Sequence, residues 1–504
     1  MASQVGGDSK FPQPQGPQSG FKVALQYTGI PPSWLDKRPS LPSRNWLIFL
    51  SVTSSILAYY AYDRREGKRI REEYVEKVKH LADVPLHSLA STRQVTVYGS
   101  KWPDDDDHDR SLKYFRKYVK PIFVAAAVDY EMVTGRRHGD LANRIAEDIK
   151  ARRRLEAGLD APPYNPMNLP TLSVQEHRRR ELEGGIVLVG RPTFKEFMAG
   201  MKRGWTESLE KVDKEEKLAR ELEEDARFDE PPELDATPAN LGDTDDEPIP
   251  TPSKLPPSKG FSPFTAPHLR PSQPTPPPTS STNHVDPAAT VPPPAILPPH
   301  PPLLLVDFVN HIGITQIPLM IWEFFNERVK VRAGAEAAYK LVMNESRPFL
   351  APPSSPFVDT GDDYTTSPAQ PHASEIPADP ETDLAFCKDT EAYYKSSATQ
   401  AFTSTIDKAR AAYYKELPGK LEIARALARG TREPTKEEKN YPPPTEVQLR
   451  AERLKKEMRW RSDVAGWDII KPEQNVEWDE RFRNVLRVFV TPAGSEGEEK
   501  TASS

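Results

Sequence analysis

Few residues in this sequence have types and spacing that could support chemistry on their own. The acidic run at 104–107, followed by His108, carries oxygen and nitrogen donors of the kind that bind metal ions. Adjacent like charges after a strand are nevertheless typical of a solvated loop, so we expect no metal there. The single cysteine, Cys387, can form neither an intramolecular disulfide nor a thiolate cage, and we expect it to be inert. The sequence also contains no HExxH, GxSxG or GxxxxGKS motif.

A turn that follows an apolar strand is the second place where chemistry could reside. In VGRPTFKEFMAG (189–200), the positions of Gly190, Thr193, Glu196 and Gly200 match the glycine-rich turn and following helix of diacylglycerol-kinase-like lipid kinases. The earlier stretches VTVYGSK and YVKPIFVAAAVDYEMVTGRRHGD also resemble the opening strand and helix of that family. This resemblance implies a turn that binds a nucleotide phosphate.

The turn departs from the kinase pattern at its two central positions. Arg191 stands where the family has an acidic residue, and Pro192 stands where it has a glycine. Proline has no backbone N–H and cannot adopt a positive φ, and a loop that wraps phosphate needs both. We therefore interpret the segment from Gly190 to Thr193 as a degenerate turn, with no cofactor and no catalytic residue. A membrane-anchored lipid kinase remains the alternative function.

Strand-like and helix-like segments alternate around this turn. Apolar or β-branched runs predict strands at 94–99, 128–136, 184–190 and 303–313. Between them, helical spacing places Leu112, Phe115, Val119 and Phe123 on one face, and Leu141, Ile145 and Ile149 on another. A further helix is predicted from Ile317 to Met343. Because the third strand is apolar throughout, the pattern predicts an α/β fold with a Rossmann-like parallel sheet covered on both faces.

The longest run without a charged side chain lies near the start, from Trp46 to Tyr62. A helix of ~17 residues spans about 26 Å, close to the thickness of the hydrocarbon core of a bilayer. Charged residues begin directly outside the run, and aromatic residues lie at both ends. We predict a single transmembrane helix over 45–62, the alternative being a buried helix of a globular domain. Basic residues flank both sides, so charge does not decide its orientation.

Small side chains form one face of this predicted membrane helix. They are Ser51, Ser54, Ser55 and Ala58. Small residues let a second helix approach closely, so this face is a candidate packing surface for another membrane helix. The alternative is that the hydroxyls only donate back to carbonyls one turn earlier.

The rest of the chain divides by composition into folded and proline-rich parts. Beyond the membrane helix, Ile70, Tyr74, Val78 and Leu81 have helical spacing and predict a stalk that Pro85 ends. In the last third, Thr445 and Gln448 form a capping box, and the helix that follows has an apolar stripe expected to dock on the domain. That stripe comprises Val447, Ala451, Leu454 and Met458. The predicted division is a disordered N-terminal segment (1–44), the transmembrane helix (45–62), the stalk (63–84), the first part of the α/β domain (93–223), a disordered proline-rich insertion (224–302), the second part of the domain (303–350), a disordered linker (351–380), a C-terminal helical region packed on the domain (381–490) and a disordered tail (491–504).

Composition excludes several classes of function. The 504 residues include 54 prolines, and the net charge is −6 with both signs dispersed, so there is no basic field for nucleic acid. The N-terminus resembles neither a secretory signal nor an Arg-rich transit helix.

Several long segments, in order, resemble one family. GIPPSWLDKRPSLPSRNWLIFLSVTSSILAYYAYDRREGKRI, YVKPIFVAAAVDYE, LLLVDFVNHIG and KELPGKLEIARALARGTREPTKEEKNYPPPTEVQLRAERLKKEMRWRSDVAGW are similar to the fungal fifty-four-kilodalton Tim subunits of the mitochondrial carrier translocase. The resemblance implies a non-catalytic, single-pass inner-membrane scaffold, with its N-terminus in the matrix and its large domain in the intermembrane space. It implies as partners the bilayer, other translocase subunits, small intermembrane-space chaperones and the multi-spanning carrier proteins that the complex inserts.

Overall fold

The computed structural model describes residues 43–85, 92–160, 174–211, 213–229, 291–352, 382–394 and 396–492. Most of the segments predicted to be disordered (1–44, 224–302, 351–380 and 491–504) lie outside these residues. The chain divides into two compact units, 1–66 and 67–504. In the first unit the described residues form a helix that begins at Arg44. In the second unit, helices surround a mixed sheet.

The α-helices alternate with strands in the first part of the second unit and predominate in the last part. They are α1 (Arg44–Ala82), α2 (Arg110–Tyr118), α3 (Lys120–Ala125), α4 (Asp140–Glu156), α5 (Val174–Gly184), α6 (Arg191–Thr206), α7 (Lys214–Glu223), α8 (Ile317–Phe325), α9 (Glu327–Met343), α10 (Ser396–Ala428), α11 (Lys436–Asn440) and α12 (Glu446–Ile470). Short 3₁₀ turns occur at Ile314–Gln316, Asp383–Ala385, Lys388–Tyr393 and Glu480–Phe482.

Among the described residues the sheet has six strands, and all neighbours are parallel except one pair. The strands are β1 (Gln94–Gly99), β2 (Asp129–Thr134), β3 (Ile186–Val189), β4 (Leu303–Val306), β5 (Ser346–Pro348) and β6 (Arg487–Phe489). Their order is β2-β1-β3-β4-β6-β5, and β5 is antiparallel to β6. The four predicted strands all form and join one sheet, as expected. The short edge strands β5 and β6 were not predicted as a pair.

The two faces of the sheet have separate hydrophobic cores. Side chains alternate along β3, so Val187 and Val189 belong to one core while Ile186 and Leu188 belong to the other. The first core is completed by α1, α2, α3 and α9, and the second by α4 and α6. The predicted apolar faces of α2, α3 and α4 are all buried. A strand covered on both faces must be apolar throughout, which explains the sequence of β3.

The C-terminal part of α1 belongs to the first core. Helix α1 ends at Ala82, three residues before Pro85, as the sequence predicts. Its residues Ile70, Tyr74 and Val78 are buried, and the ring of Tyr74 meets that of Tyr339 at 5.9 Å. The predicted helix and its apolar face are therefore present, and the domain covers that face.

The helix predicted from Ile317 to Met343 is divided at Asn326. This residue has φ −125° and ψ 42°, outside the helical region, and its side-chain amide donates to the carbonyl of Trp322 at 2.9 Å. Asparagine readily makes such local bonds in competition with the helix. The chain therefore forms two helices, α8 and α9, where the sequence predicted one.

The buried face of α12 differs from the predicted stripe. Val447 and Met458 are 76% and 36% exposed, and the buried residues are instead Leu449, Arg453 and Glu457. The capping box of Thr445 and Gln448 is present, as predicted. The prediction of the stripe is wrong because it counted apolar side chains only, whereas the inward face of this helix is partly charged.

The charged residues on this inward face are hydrogen-bonded to partners on other elements. Glu457 accepts hydrogen bonds from Arg410 at 2.8 and 2.9 Å and from the hydroxyl of Tyr414 at 2.6 Å. Arg453 donates to Asp225 at 3.0 Å. Buried charges are tolerated when they are paired and hydrogen-bonded in this way.

Within the described residues, no helix combines the length and the apolar character that crossing a membrane requires. The same residues contain no group of three or more side chains arranged to hold a metal ion. In the acidic run, Asp105 accepts from Asn310 at 2.6 Å, and Asp107 pairs with Lys113.

Candidate functional site

The sheet has one topological switch point, between β1 and β3. The chain passes from β1 outward to β2 and then returns across β1 to β3. In open α/β sheets, ligands bind beyond the carboxyl ends of the strands at such a point. The degenerate turn from Gly190 to Thr193 lies there, directly after β3 and at the start of α6.

Gly190 and Thr193 hold the ends of the two strands together. Gly190 has φ +81°, a conformation that favours glycine, and a Cβ there would lie 3.1 Å from the ring of Phe308, a tight contact. The hydroxyl of Thr193 accepts from the backbone N–H of Ser100 at 2.9 Å and donates to the carbonyl of Val189 at 2.7 Å. Pro192 lies in the first turn of α6, where its missing N–H leaves no intrahelical bond unmade. The turn thus serves strand and helix packing.

Arg191 points into the protein and is 4% exposed. Its Nε lies 2.8 Å from a carboxylate oxygen of Glu391, and its Nη1 donates to the carbonyls of Leu384 and Phe386 at 2.5 and 3.0 Å. These three partners all come from the segment 382–394, far along the chain. Through these bonds, Arg191 holds the segment 382–394 against the switch point.

Lys195, one turn further along α6, shares the same carboxylate. Its Nζ lies 2.7 Å from Glu391 and donates to the carbonyl of Lys471 at 2.8 Å. Burial lowers the pKa of Lys195, and the bond to Glu391 opposes this shift. One nearly buried carboxylate is thus held between two buried cations.

This arrangement closes the place where a phosphate would bind. Helix N-termini attract anions, and the first turn of α6 carries two cations in addition. The anion found there is the carboxylate of Glu391, supplied by the chain itself. Aromatic contacts secure the same segment, because Phe386 packs on Phe194 at 5.8 Å and Tyr394 packs on Trp102 at 5.1 Å.

Glu196 and Gly200, which also match the kinase pattern, support the packing of α6 on α4. The carboxyl of Glu196 is fully buried and accepts from the backbone N–H of Leu141, in the first turn of α4, at 3.1 Å. Burial raises the pKa of Glu196 to about 8, although the N–H groups at the start of α4 act in the opposite direction. A Cβ on Gly200 would lie 2.7 Å from the carbonyl of Ala142, so glycine permits the close approach of the two helices.

Cys387 lies in the segment that closes the switch point. Its thiol donates to Asp307 at 3.0 Å, and burial raises the pKa of the thiol above its ordinary value. A thiol that stays protonated is a poor nucleophile.

Sequence reasoning found the turn but missed Lys195 and Glu391. A signal was present for Lys195, since it lies next to Phe194 in a helix that directly follows an apolar strand and contains many apolar residues. For Glu391 no local signal exists, because its partners lie about two hundred positions away.

The candidate packing face of the predicted membrane helix lies on the first part of α1. The hydroxyl of Ser55 donates to the carbonyl of Ser51 at 2.8 Å, which is the local bond considered as the alternative. Thr53 donates in the same way to Phe49 at 2.9 Å. Large apolar side chains from Trp46 to Leu57 are exposed around the helix. Because the hydroxyl of Ser55 is satisfied locally, this position can approach an apolar neighbour without leaving a donor unbonded.

The fold and the site together define an α/β domain whose sheet is largely parallel and whose switch point is occupied by its own side chains. The family model described as "Inner membrane protein import complex subunit Tim54" matches residues 23–465. The chain belongs to this family.

Curated relatives agree with the family assignment. A protein of Cryptococcus neoformans strain JEC21 is 38% identical over 479 residues, which cover 94% of this chain and 95% of the relative. A protein of Candida albicans is 28% identical over 374 residues, covering 66% of this chain and 86% of the relative. Each is named a mitochondrial import inner membrane translocase subunit, TIM54. The resemblance inferred from the sequence is confirmed, and nothing in these comparisons supports the lipid-kinase alternative.

Proposed function

We propose that this chain is a non-catalytic scaffold subunit of the mitochondrial inner-membrane translocase that inserts multi-spanning carrier proteins. Membership of the import-subunit family supports the role in import. The single observation that supports the absence of catalysis is Glu391 between Arg191 and Lys195, because this ion cluster occupies the start of α6, where a kinase-like turn would bind a phosphate. A domain whose ligand site is filled by its own side chains retains its outer surface for protein contacts.

The proposed partners follow from the role. They are other subunits of the translocase, small intermembrane-space chaperones that deliver carriers, and the carriers themselves. The names of the relatives support a complex with other subunits. We assign no nucleic acid as a partner, because both signs of charge are dispersed over the chain.

We also propose that residues 45–62 anchor the chain in the inner membrane as a single span. Three features of the segment support this. No charged side chain occurs from Trp46 to Tyr62, the apolar side chains are exposed around the helix, and the hydroxyls of Thr53 and Ser55 bond to carbonyls one turn earlier. In the proposed topology the N-terminus lies in the matrix and the domain after residue 66 lies in the intermembrane space.

Protease treatment tests this topology. In intact mitochondria the whole chain is expected to resist added protease. After the outer membrane alone is ruptured, we expect the domain to be digested while the N-terminal segment stays protected. Extraction with alkaline carbonate is expected to leave the undigested chain in the membrane pellet. Release into the supernatant would refute the anchor, and a domain that resists protease after rupture would refute the orientation.

The small-residue face of Ser51, Ser54, Ser55 and Ala58 is the proposed contact with another membrane helix. Replacing Ser51→Leu together with Ser55→Leu is expected to release the chain from its complex, because leucine side chains keep the backbones apart. Native gel electrophoresis of detergent-solubilised mitochondria measures the change as a shift to lower mass. Thr53→Leu, on the opposite side of the helix, is the control and should migrate as the wild type does. If the double variant also migrates unchanged, this face does not hold the complex together.

A further inference from the structure

The two edge strands of the sheet differ in how well they are protected from pairing with another chain. At one edge, β5 has three residues and ends in Pro348, and the preceding Arg347 pairs with Asp383 at 2.6 Å. Short edge strands that contain proline resist pairing. At the other edge, β2 has six residues, DYEMVT, with neither proline nor a basic residue. Among the described residues its one neighbour is β1, so the other side of β2 is open for pairing.

The open side of β2 carries the backbone groups of every second residue. The N–H of Asp129 donates to the carbonyl of Arg93, just before β1, at 2.9 Å. Peptide groups alternate in direction along a strand, so Tyr130, Met132 and Thr134 direct their N–H and C=O groups away from β1. Within the described parts of the chain, no backbone group pairs with them. An added strand would use these groups.

A cavity of about 960 Å³ adjoins the same part of the sheet. Its walls include β1, β2, α4 and α5, with Thr96, Tyr98 and Glu131 on the sheet side. Side chains alternate between the two faces of a strand. Every second side chain of a strand added beside β2 would therefore lie on the cavity face, next to Glu131. Such a strand would have both a backbone partner and room for its side chains.

Carboxylates predominate where the cavity meets β2. Glu131 is exposed in β2, and Asp148 of α4 also lines the cavity. Burial raises the pKa of the Tyr98 hydroxyl to about 12. Nearby carboxylates act in the same direction, against the charge of Arg144, and they are those of Asp148, Glu181 and Glu131. A cationic side chain that entered beside Glu131 would thus find opposite charge.

The basic side chains of the cavity cluster near α5. Arg152 and Arg178 pair with Glu181 of α5 at 2.9 and 3.2 Å. Arg178 also donates to the carbonyl of Pro299 at 2.5 Å. Arg180, which also lines the cavity, belongs to α5 itself. Positive charge is therefore concentrated on the α5 side of the cavity, and negative charge on the β2 side.

The opposite face of β2 favours apolar neighbours. Tyr130 and Met132 pack against the first core, and the ring of Tyr130 meets that of Phe115 at 5.5 Å. Both side chains are half-buried, so part of each remains for a neighbouring strand to cover. A segment that fits β2 on both faces therefore alternates basic and apolar side chains.

The chain's own sequence offers few segments of this kind. The longer gaps of the domain (161–173, 230–290 and 353–381) contain no six-residue stretch that has a lysine or arginine and no proline. The tail at 493–504 is acidic. Residues 21–28, FKVALQYT, alternate apolar and other side chains and include one lysine, but the proposed topology places them on the other side of the membrane.

A second copy of the chain fits poorly as well. In an antiparallel pair of two β2 strands, the carboxylates of Asp129 and Glu131 from both copies would lie on the same face. Like charges on neighbouring strands destabilise the pairing. The segment that fits therefore belongs to another protein.

We propose that the open side of β2 binds an extended segment of a partner protein in which basic side chains alternate with apolar ones. The backbone of the segment pairs with β2, its basic side chains enter the cavity beside Glu131, and its apolar side chains cover Tyr130 and Met132. The inference goes beyond the scaffold role, because it assigns the surface and the chemistry of one contact. It uses the proposed topology solely to exclude residues 21–28.

A model peptide tests the proposal with the detergent-solubilised full-length protein. The probe is a short, end-blocked, fluorescent peptide of alternating lysine and valine, and its binding is measured by fluorescence anisotropy. One control peptide alternates glutamate and valine, and another has the lysines and valines in two separate blocks. The protein variants are Glu131→Lys, Met132→Pro and, as a matched control, Glu433→Lys, which changes an exposed glutamate that does not line the cavity.

The alternating lysine peptide is expected to bind the wild type and Glu433→Lys equally, and Glu131→Lys about tenfold more weakly. Met132→Pro should also weaken binding about tenfold, because proline lacks the outward N–H and its ring obstructs the open side. The glutamate peptide should bind Glu131→Lys more tightly than it binds the wild type. Hydrogen exchange should slow at the N–H groups of Tyr130, Met132 and Thr134 when the lysine peptide binds the wild type.

Other results would overturn the proposal. Equal binding of the block peptide, or equal weakening by Glu433→Lys, would show a general attraction of charge without strand pairing. If the N–H groups of Tyr130, Met132 and Thr134 were already protected without peptide in a monomeric chain, a segment of this chain would cover β2. If the chain were a dimer that Met132→Pro converts to a monomer, a second copy would cover it. Each of these outcomes would leave the scaffold role intact, since that role is tested by the topology and by assembly of the complex.

Discussion

The Glu391→Ala variant is expected to be less stable than the wild type by about 3–5 kcal/mol, the cost typical of removing one partner from a buried ion pair. Arg191 and Lys195 are 4% and 1% exposed, so neither cation can reach water when the carboxylate is gone. Thermal or denaturant unfolding of the detergent-solubilised full-length protein measures this loss. Inorganic phosphate is expected to restore part of the stability of the variant, since it can occupy the vacated anion position.

Two comparisons test whether the loss of stability comes from the ion cluster or from any substitution in the segment 382–394. Asp389→Ala removes an exposed carboxylate two positions earlier and is expected to change the stability by less than about 0.5 kcal/mol. Combining Glu391→Ala with Arg191→Met and Lys195→Met should recover much of the loss, because no unpaired buried charge then remains. If Glu391→Ala and Asp389→Ala behaved alike, the switch point would not depend on this carboxylate for its closure.

The Gly466→Ala variant is expected to lose about 3 kcal/mol or more, because its added Cβ overlaps backbone that cannot move independently. The Cβ would lie 1.8 Å from the carbonyl oxygen of His138. Gly139, which has φ +81°, faces it from the other side, and a Cβ there would lie 2.6 Å from Cα of Gly466. The adjacent Trp467 stacks on Phe402 at 4.7 Å, so α12 cannot lift locally without breaking this contact.

Gly419→Ala is the matched control for this clash. Gly419 lies inside α10, and a Cβ there would meet nothing within 4 Å. Alanine is a better helix former than glycine by about 1 kcal/mol, so this variant should be as stable as the wild type or slightly more stable. Limited proteolysis adds a local measurement, since Gly466→Ala should speed cleavage in the C-terminal helices. If the stability and the rate of cleavage of Gly466→Ala were the same as those of the wild type, α12 would not be closely packed on residues 138 and 139.

The central strands and their covering helices could be predicted because their signals are local. An apolar strand such as β3 and a face such as Leu141, Ile145 and Ile149 follow from the two-residue and 3.6-residue periods of the backbone. Strands β5 and β6 have three residues each, and β6 joins β4 through Leu303 and Val488, which are far apart in sequence. Three residues contain too little periodicity to specify such a pairing. The inward face of α12 was missed for a related reason, since the partners of Arg453 and Glu457 lie on other elements, far along the chain.

For the candidate site, the sequence by itself determined the degenerate turn. The backbone limits of proline belong to a single residue, and they disfavour a phosphate-wrapping loop wherever the segment lies. The sequence also determined the family, because long segments matched in order. Only the tertiary structure decided what fills the switch point, because the bonds from Arg191 and Lys195 to Glu391 join positions about two hundred residues apart. Short-range electrostatic pairing depends on distance in space, and a linear pattern does not record that distance.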